Sequence, residues 1–196
     1  MEVEARGRGG KISLCAFCRV PTHTSDKEDR ERTKKLIETD HAYAFYNFAG
    51  YYADGDGVPQ DFAKANELYL KAGELGCAEG YCNLGCCYDQ GMGAEMDRKK
   101  AKYYYELAAM NGNVNARYNL ARLETQAGNH NRAMKHLIIA SNAGDKDSLD
   151  AVKAGFMGGY VTKDEYANTM RSYQQQHDEM KSDERDKARA HRNSSM

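Results

Sequence analysis

Two cysteines and a histidine near the start of the chain have the residue types of a zinc site. Cys15 and Cys18 are separated by two residues, and His23 follows shortly after them. A structural zinc ion takes four such ligands in a tetrahedron, but residues 1–14 contain neither Cys nor His. The site is incomplete, and two interpretations stay open: the residues no longer bind metal, or ligands from elsewhere complete the site. We therefore expect no cofactor, unless other ligands complete a zinc site.

Four further cysteines lie close together in the middle of the chain. Cys82 and Cys86 are one helical turn apart, Cys87 is adjacent, and Cys77 comes just before them. Small thiols on a helix usually fill semi-buried packing positions, so we interpret these residues as part of the core. A metal site or a redox switch is the alternative.

Three asparagines recur at an equal spacing of 36 residues: Asn47, Asn83 and Asn119. An amide both donates and accepts hydrogen bonds, so a row of amides can hold the backbone of an extended peptide. The alternative is that each amide bonds to a nearby backbone group and supports the local turn. Both interpretations require structural elements that repeat with this period.

The residue patterns of common enzyme sites are missing from the sequence. No nucleophile elbow, phosphate-binding loop or dinucleotide fingerprint occurs, and Gly91-x-Gly93 lacks the preceding strand that such motifs need. His130 and His136 have no third ligand or carboxylate at a suitable spacing, so we interpret both as structural. We therefore expect a protein that is not an enzyme.

Charge and hydropathy argue against two classes of partner. The 28 Lys and Arg residues balance 29 Asp and Glu, which gives no reason to expect nucleic acid or an anionic membrane. The aliphatic stretch at 137–140 is far shorter than a membrane span. Residues 1–10 are charged and glycine-rich rather than apolar, so we expect an intracellular, cytoplasmic protein whose cysteines are mostly reduced.

The middle of the chain repeats itself. Over residues 42–76, eleven positions carry the same residue 36 positions later, where composition alone would give about two. These positions are Ala42, Asn47, Tyr52, Gly55, Gly57, Asp61, Lys64, Ala65, Tyr69, Ala72 and Gly76. A third copy continues at this offset and then at an offset of 32, because four residues are missing from its central loop. A fourth, decayed copy starts near Ser148.

Each copy has the pattern of two antiparallel helices, and the composition favours an all-α chain. In the second copy the first helix covers about 78–90, and Gly91 and Gly93 permit the turn. Asp97 is the expected N-cap of the second helix, which ends before Gly112. One helix pair cannot bury its apolar face alone, whereas stacked pairs can. The sequence therefore predicts a right-handed α/α solenoid of antiparallel helix pairs with a concave groove.

The second copy also resembles a known repeat. The matching residues are Leu84-Gly85-x-x-Tyr88-x-x-Gly91-x-Gly93 and then Asp97-x-x-Lys100-Ala101-x-x-Tyr104-Tyr105-x-x-Ala108-Ala109-x-x-Gly112. They are similar to the Sel-one-like repeat, a relative of the tetratricopeptide repeat. In the third copy Glu124 departs from the pattern, since the family usually has an aromatic residue at this position. The resemblance implies a scaffold that binds other proteins and carries no chemistry in the repeat itself.

Tetratricopeptide-like solenoids present the first helix of each repeat to the groove, and this places candidate binding residues there. We expect a protein or peptide partner to contact the three asparagines together with aromatic and guanidinium groups on or near the same face. The candidate set is Asn47, Asn83, Asn119, Tyr46, Tyr118 and Arg122. The sequence leaves the oligomeric state open.

The N-terminal cysteine motif has a resemblance of its own. Cys15-Ala16-Phe17-Cys18-Arg19-Val20-Pro21 is similar to the last ligand pair of a RING-type zinc finger. The alternative function is therefore the substrate-recognition part of a RING-type ubiquitin ligase whose finger is incomplete in this chain. A secreted, cysteine-rich hydrolase or binder is disfavoured, because Ala72 and Ala108 stand where the resemblance would place disulfide partners.

The predicted order of segments follows from these motifs. Residues 1–24 form a poorly ordered, finger-like segment, and a capping box at 25–28 opens a capping helix over 25–39. The repeats occupy 40–162, at about 40–76, 77–112, 113–144 and 145–162 and onward. A second capping box opens a C-terminal helix over 163–180, and 181–196 form a charged tail.

Overall fold

The computed structural model describes residues 33 and 35–180 of the 196-residue chain. Its helices are α1 (Ala42–Asp54), α2 (Phe62–Glu74), α3 (Ala78–Gln90), α4 (Arg98–Met110), α5 (Val114–Gln126), α6 (His130–Asn142), α7 (Lys146–Met157) and α8 (Lys163–Met180). Residues 33 and 35–37 are also helical, within the expected capping helix, most of which lies outside the described residues. The described chain contains no strand, so the predicted all-α class is confirmed.

The helices pack in the order in which they occur in the chain. Helices α1 and α2, α3 and α4, and α5 and α6 form three antiparallel pairs. Successive pairs stack through α2 on α3, α4 on α5, and α6 on α7. Helix α8 closes the stack by packing against both α6 and α7. This arrangement is the predicted α/α solenoid, in which α1, α3, α5 and α7 are the first helices of successive repeats.

Local chemistry sets the ends of the helices. The carboxylate of Asp97 accepts the backbone N–H groups of Lys99 and Lys100 at 2.9 and 3.0 Å and caps α4. Gly91 ends α3 with a φ of 72°, in the left-handed region that a residue with a Cβ rarely adopts. At the start of α8, Thr162 and Glu165 exchange hydrogen bonds in the predicted capping box.

Small residues let the helices of a pair approach closely. Ala65, Ala101 and Ala133, at the same position of three second helices, are completely buried. Opposite Ala101, a Cβ on Gly85 would come within 2.7 Å of the ring of Tyr105. The pair is therefore packed at a distance that only a glycine at this position of α3 allows.

The shortened loop of the third repeat keeps the backbone hydrogen bond that closes the two longer loops. In the first two repeats the backbone N–H of Asp61 bonds to the carbonyl of Tyr52 at 2.9 Å, and that of Asp97 to Tyr88 at 2.8 Å. In the third repeat Asn129 N–H bonds to the carbonyl of Glu124 at 2.8 Å. The four missing residues therefore come from the part of the loop between its two fixed ends.

The far end of the stack is closed by apolar contacts around α7. Val152 is completely buried and lies in one cluster with Leu137 and Val161. Tyr166 of α8 packs against this cluster and stacks on Phe156 at a centroid distance of 4.8 Å. Among the helices that the structure describes, none is long and apolar enough to span a membrane.

Candidate partner-binding groove

A cleft of about 470 Å³ opens between the first helices α5 and α7, with α6 as its floor. Helix α5 supplies Tyr118 and Arg122, two of the residues expected to bind a partner. Other residues that line the cleft include Met134, Leu137, Gly155 and Tyr160. We call this the α5–α7 cleft.

The α5–α7 cleft has an apolar floor and aromatic edges. Tyr118 is 41% exposed on one side, and Tyr160 is 48% exposed on the other. The ring of Tyr160 packs on His130 at a centroid distance of 4.7 Å, which holds it at the mouth of the cleft. Gly155 leaves room for the sulfur of Met134, because a Cβ there would lie 2.3 Å from it. Aromatic rings beside flexible thioethers are typical of surfaces that bind varied apolar groups.

Arg122 joins the cleft to the neighbouring repeat. Its guanidinium forms an ion pair with Asp89 on α3, whose side chain is only 9% exposed. Burial is the largest single influence and lowers the pKa of Arg122, but the hydrogen bond and the charge of Asp89, together with Tyr105, outweigh burial and raise the pKa. Arg122 therefore stays charged and is oriented along the stack of first helices.

The Asn83 amide is engaged within the protein. It lies close enough to the hydroxyl groups of Tyr46 on α1 and Tyr69 on α2 to favour their ionised forms. Burial raises the pKa of both tyrosines, and the Asn83 amide opposes that rise. The rings of Tyr46 and Tyr69 are also in contact, at a centroid distance of 5.9 Å. Asn83 thus links its own repeat to the preceding one.

Asn119 makes the equivalent link one repeat later. Its side-chain N–H points to the sulfur of Cys86 on α3, at 3.8 Å. The first asparagine of the row, Asn47, is exposed on α1. Asn83 and Asn119 thus lie against side chains of the preceding repeat. Their role toward a partner stays a prediction.

Three of the central cysteines are packing residues. Cys77, Cys82 and Cys87 are at most 5% exposed, as the packing interpretation predicts, and burial raises the pKa of Cys77 and Cys87 to about 11. Cys86 differs, because it is partly exposed next to Asn119 and Tyr105. All four thiols are free.

The expected metal residues Cys15, Cys18 and His23 lie outside the described residues. Within the part of the chain that is described, no group of three or more His, Cys, Asp or Glu side chains is arranged to hold a metal ion. The finger-like end therefore receives no support from the structure.

The two histidines on α6 have structural surroundings. His130 opens the helix and lies against the ring of Tyr160. Burial lowers the pKa of His136, and the charge of Arg117 lowers it further, so this imidazole is neutral at neutral pH.

Together, the stacked helix pairs and the cleft between two of their first helices define a helical-repeat protein of the α/α solenoid class. The model of the Sel1 repeat matches residues 40–77, 78–113 and 114–145. Since these matches cover more than half of the chain, the protein belongs to the Sel1 repeat family. Each match contains one of the helix pairs α1–α2, α3–α4 and α5–α6.

Two plant proteins share part of this sequence. Over 107 residues the chain is 36% identical to the ERAD-associated E3 ubiquitin-protein ligase component HRD3A of Arabidopsis thaliana, and over 109 residues it is 34% identical to HRD3B. Each alignment covers 50% of this chain. The chain spans only 15% of HRD3A and 17% of HRD3B.

Solved structures share the fold. A Sel1 repeat protein from Oxalobacter formigenes superposes with a TM-score of 0.67 at 21% identity, over 77% of this chain and 64% of that one. The protective antigen c5321 of uropathogenic Escherichia coli, described as displaying an SLR fold, gives a TM-score of 0.65 at 25% identity. That match covers 74% of this chain and 33% of the antigen.

Some residues of the cleft were not identified from the sequence. Met134 and Tyr160 lie outside the 36-residue pattern of first helices, so the repeat alone gives no signal for them. Asp89 is recognisable only as an acidic residue opposite Arg122 once the two first helices are placed side by side. The contacts that matter join different repeats, whereas the motif describes one repeat at a time.

Proposed function

We propose that this protein is a non-enzymatic scaffold that holds a protein or peptide partner in the concave groove of its Sel1 repeats. The observation that carries this proposal is the α5–α7 cleft, which Tyr118 and Arg122 line from one first helix. Membership in the Sel1 repeat family supports an interaction role, because such stacked repeats form extended binding surfaces.

The chemistry of the cleft suggests the kind of segment it takes. Its volume lies within the range of about 300–1,000 Å³ that is typical of ligand sites. Met134 and Leu137 offer an apolar floor, while Tyr118 and Tyr160 can pack on either side of an inserted group. The proposed partner is an extended segment with one large apolar side chain, which enters the cleft beside Arg122.

Selection from a library of short displayed peptides tests this proposal on the purified chain. We expect the selected peptides to share an apolar anchor and to bind Tyr118→Ala or Tyr160→Ala at least about tenfold more weakly, as for removal of an interface anchor. Affinities are measured by fluorescence polarisation with labelled peptides, and circular dichroism confirms that each variant keeps its helicity.

Tyr103→Ala is the matched control. Tyr103 is 56% exposed on α4, a second helix, so its ring is as available to solvent as the rings of the cleft. Peptides bound in the cleft should not respond to this change. Selected peptides that bind both cleft variants as well as the parent chain would overturn the proposed site.

Substrate recognition within a RING-type ubiquitin ligase is the second candidate. The similarity to HRD3A and HRD3B, which are ligase components, favours it over other interaction roles. Proximity labelling with the tagged chain tests this candidate: enrichment of ubiquitin-ligase subunits that Tyr118→Ala abolishes would support it. Labelling that enriches no ligase subunit would reject it while leaving the scaffold proposal intact.

The cytoplasmic location expected from the sequence stays a prediction. Imaging of the tagged chain together with a cytoplasmic marker tests it.

A further inference from the structure

Two hydrogen-bond donors converge on one sulfur atom between the second and third repeats. The hydroxyl of Tyr105 on α4 donates to Cys86 Sγ at 3.3 Å. The amide of Asn119 on α5 points to the same atom at 3.8 Å, and Cys82 lies one turn earlier on α3. Donors directed at a sulfur favour its thiolate form, because the negative charge strengthens each hydrogen bond.

The charges around Cys86 come from two helices. Asp89 on α3 disfavours a thiolate, and Arg122 on α5 favours it, while these two side chains also pair with each other. The neighbouring Cys82 thiol is the largest influence and lowers the pKa of Cys86 below its ordinary value, with the hydrogen bond from Tyr105 acting in the same direction. The same contact raises the pKa of Cys82, which therefore remains a thiol.

A disulfide between the two cysteines is a poor product of this arrangement. Residues four apart on a helix have Cβ atoms about 5–6 Å apart, whereas a disulfide needs about 3.5–4.5 Å. Closing that gap would distort α3, which is tightly packed at Gly85. Cys82 is therefore a neighbouring thiol of the reacting sulfur and not a resolving thiol.

We propose that Cys86 is a modification site that forms mixed disulfides with small disulfide molecules, and that Cys82, Tyr105 and Asn119 stabilise the attacking sulfur. The Cys86 thiolate attacks one sulfur of the small disulfide, a new S–S bond forms, and the original S–S bond breaks. The leaving sulfur departs as a thiolate and takes a proton from solvent. Cys86 is oxidised and half of the small disulfide is reduced, so no further co-reactant is needed.

The adduct also has a consequence for the groove. Cys86 is partly exposed, and its sulfur lies against Asn119 beside the Asp89–Arg122 ion pair. A group attached to this sulfur displaces the Asn119 contact and moves the adjacent α5 side chains. This step rests on the proposed function, because it implies weaker partner binding, whereas the modification itself does not.

Glutathione disulfide is the probe for the modification. The full chain carries Cys15→Ser and Cys18→Ser, so that reaction reports the central cysteines, and adducts are located by peptide mass spectrometry at pH 6.5 and pH 8.5. We expect one adduct, on Cys86, and its loss in Cys86→Ser. Cys87→Ser, on the same helix but with its sulfur buried, is the matched control and should react like the parent chain.

The hydrogen-bond donors are tested by the pH profile of iodoacetamide labelling at Cys86. We expect a midpoint below the ordinary cysteine value of about 8.5, and Tyr105→Phe should raise it and slow labelling at pH 6.5 by about three- to tenfold. Asn119→Ala removes the more distant donor and should raise the midpoint by a smaller amount. Adducts spread over several cysteines, or a Cys86 midpoint at or above the ordinary value, would overturn the proposal, and neither result bears on peptide binding in the cleft.

Discussion

Glu124 occupies in the third repeat the position that Tyr52 and Tyr88 occupy in the first two. In those repeats a lysine of the second helix lies over the ring, with Lys64 at 4.7 Å from the centroid of Tyr52 and Lys100 at 5.1 Å from that of Tyr88. In the third repeat the Glu124 carboxylate is 2% exposed and accepts hydrogen bonds from Lys102 at 2.6 Å and Asn129 at 2.9 Å. A cation–π contact has thus been replaced by a buried, paired carboxylate.

Removing the partner of this carboxylate should destabilise the protein. Lys102→Met leaves Glu124 buried with one fewer charged donor, and we expect the free energy of unfolding to fall by about 1–3 kcal/mol at pH 7. The hydrogen bond from Lys102 lowers the pKa of Glu124, so its stabilisation is present above the unfolded pKa and is lost as the pH falls through the folded pKa. The difference between variant and parent should therefore shrink below about pH 4.

Urea denaturation at a series of pH values measures both effects. Lys99→Met is the control, because Lys99 lies on the same helix and is exposed there. A Lys102→Met variant that is no less stable than Lys99→Met, or whose deficit is independent of pH, would contradict the pairing.

At the scale of the helix, caps and turns could be predicted from single residues. Asp97 and Gly91 act where the sequence places them, because a carboxylate at an N-cap and the positive φ of this glycine depend only on neighbouring backbone. The engagement of Asn83 by two tyrosines could not be predicted in the same way. That contact depends on the rotation of one helix pair relative to the next, and the repeat pattern does not contain this rotation.

More of the fold than of the groove could therefore be predicted from the sequence. The period and its apolar positions indicate which helices pair, whereas the α5–α7 cleft depends on side chains from α5, α6 and α7 together. The floor of this cleft depends on Gly155, because the absence of a Cβ there leaves room for the sulfur of Met134. This contact arises only when the helices are stacked.

Gly85 provides a test of helix packing within a repeat. In Gly85→Ala the new Cβ would lie 2.7 Å from the Tyr105 ring and 3.2 Å from the carbonyl oxygen of Ala101. We expect a loss of about 1–3 kcal/mol in the free energy of unfolding, as for overpacking of a filled core. Thermal and urea denaturation measure this loss.

Gly50→Ala is the matched comparison, since Gly50 is also inside a first helix but no described atom lies within 4 Å of its added Cβ. There the substitution should stabilise by about 0.5–1 kcal/mol, because alanine loses less entropy in a helix. Equal effects at the two positions would mean that intrinsic helix propensity, and not the approach of α4, decides the outcome at Gly85.

At the scale of the whole molecule, the described core is a series of clusters along the stack. One cluster contains Ala65, Tyr69 and Leu84 between the first and second repeats, and another contains Leu137, Val152 and Val161 at the far end. The most extensive helix contacts join elements that are adjacent in the chain. In such a stack, stability is close to a sum of repeat and neighbour terms, so a local change should have a local effect.

Val152→Ala tests this locality at the far end. Val152 is completely buried in the cluster around α7, and its truncation removes two methyl groups from a packed site, at a cost of about 1–3 kcal/mol. We expect faster amide hydrogen exchange in α6, α7 and α8, measured by mass spectrometry on peptides of the full chain. Protection of α1, α2 and α3 should stay within error of the parent, since these helices lie beyond the neighbouring repeat.

Leu120→Ala is the informative counterpart, because Leu120 is buried in the central cluster that joins α3, α4 and α5. Leu120→Ala should lower the protection from hydrogen exchange of the helices on both sides of α5, whereas the effect of Val152→Ala should remain at one end of the stack. If both variants instead lower the protection of every helix by the same free energy, the stack unfolds as one cooperative unit. In that case a ligand bound in the α5–α7 cleft would stabilise the whole chain, and not only the repeats beside it.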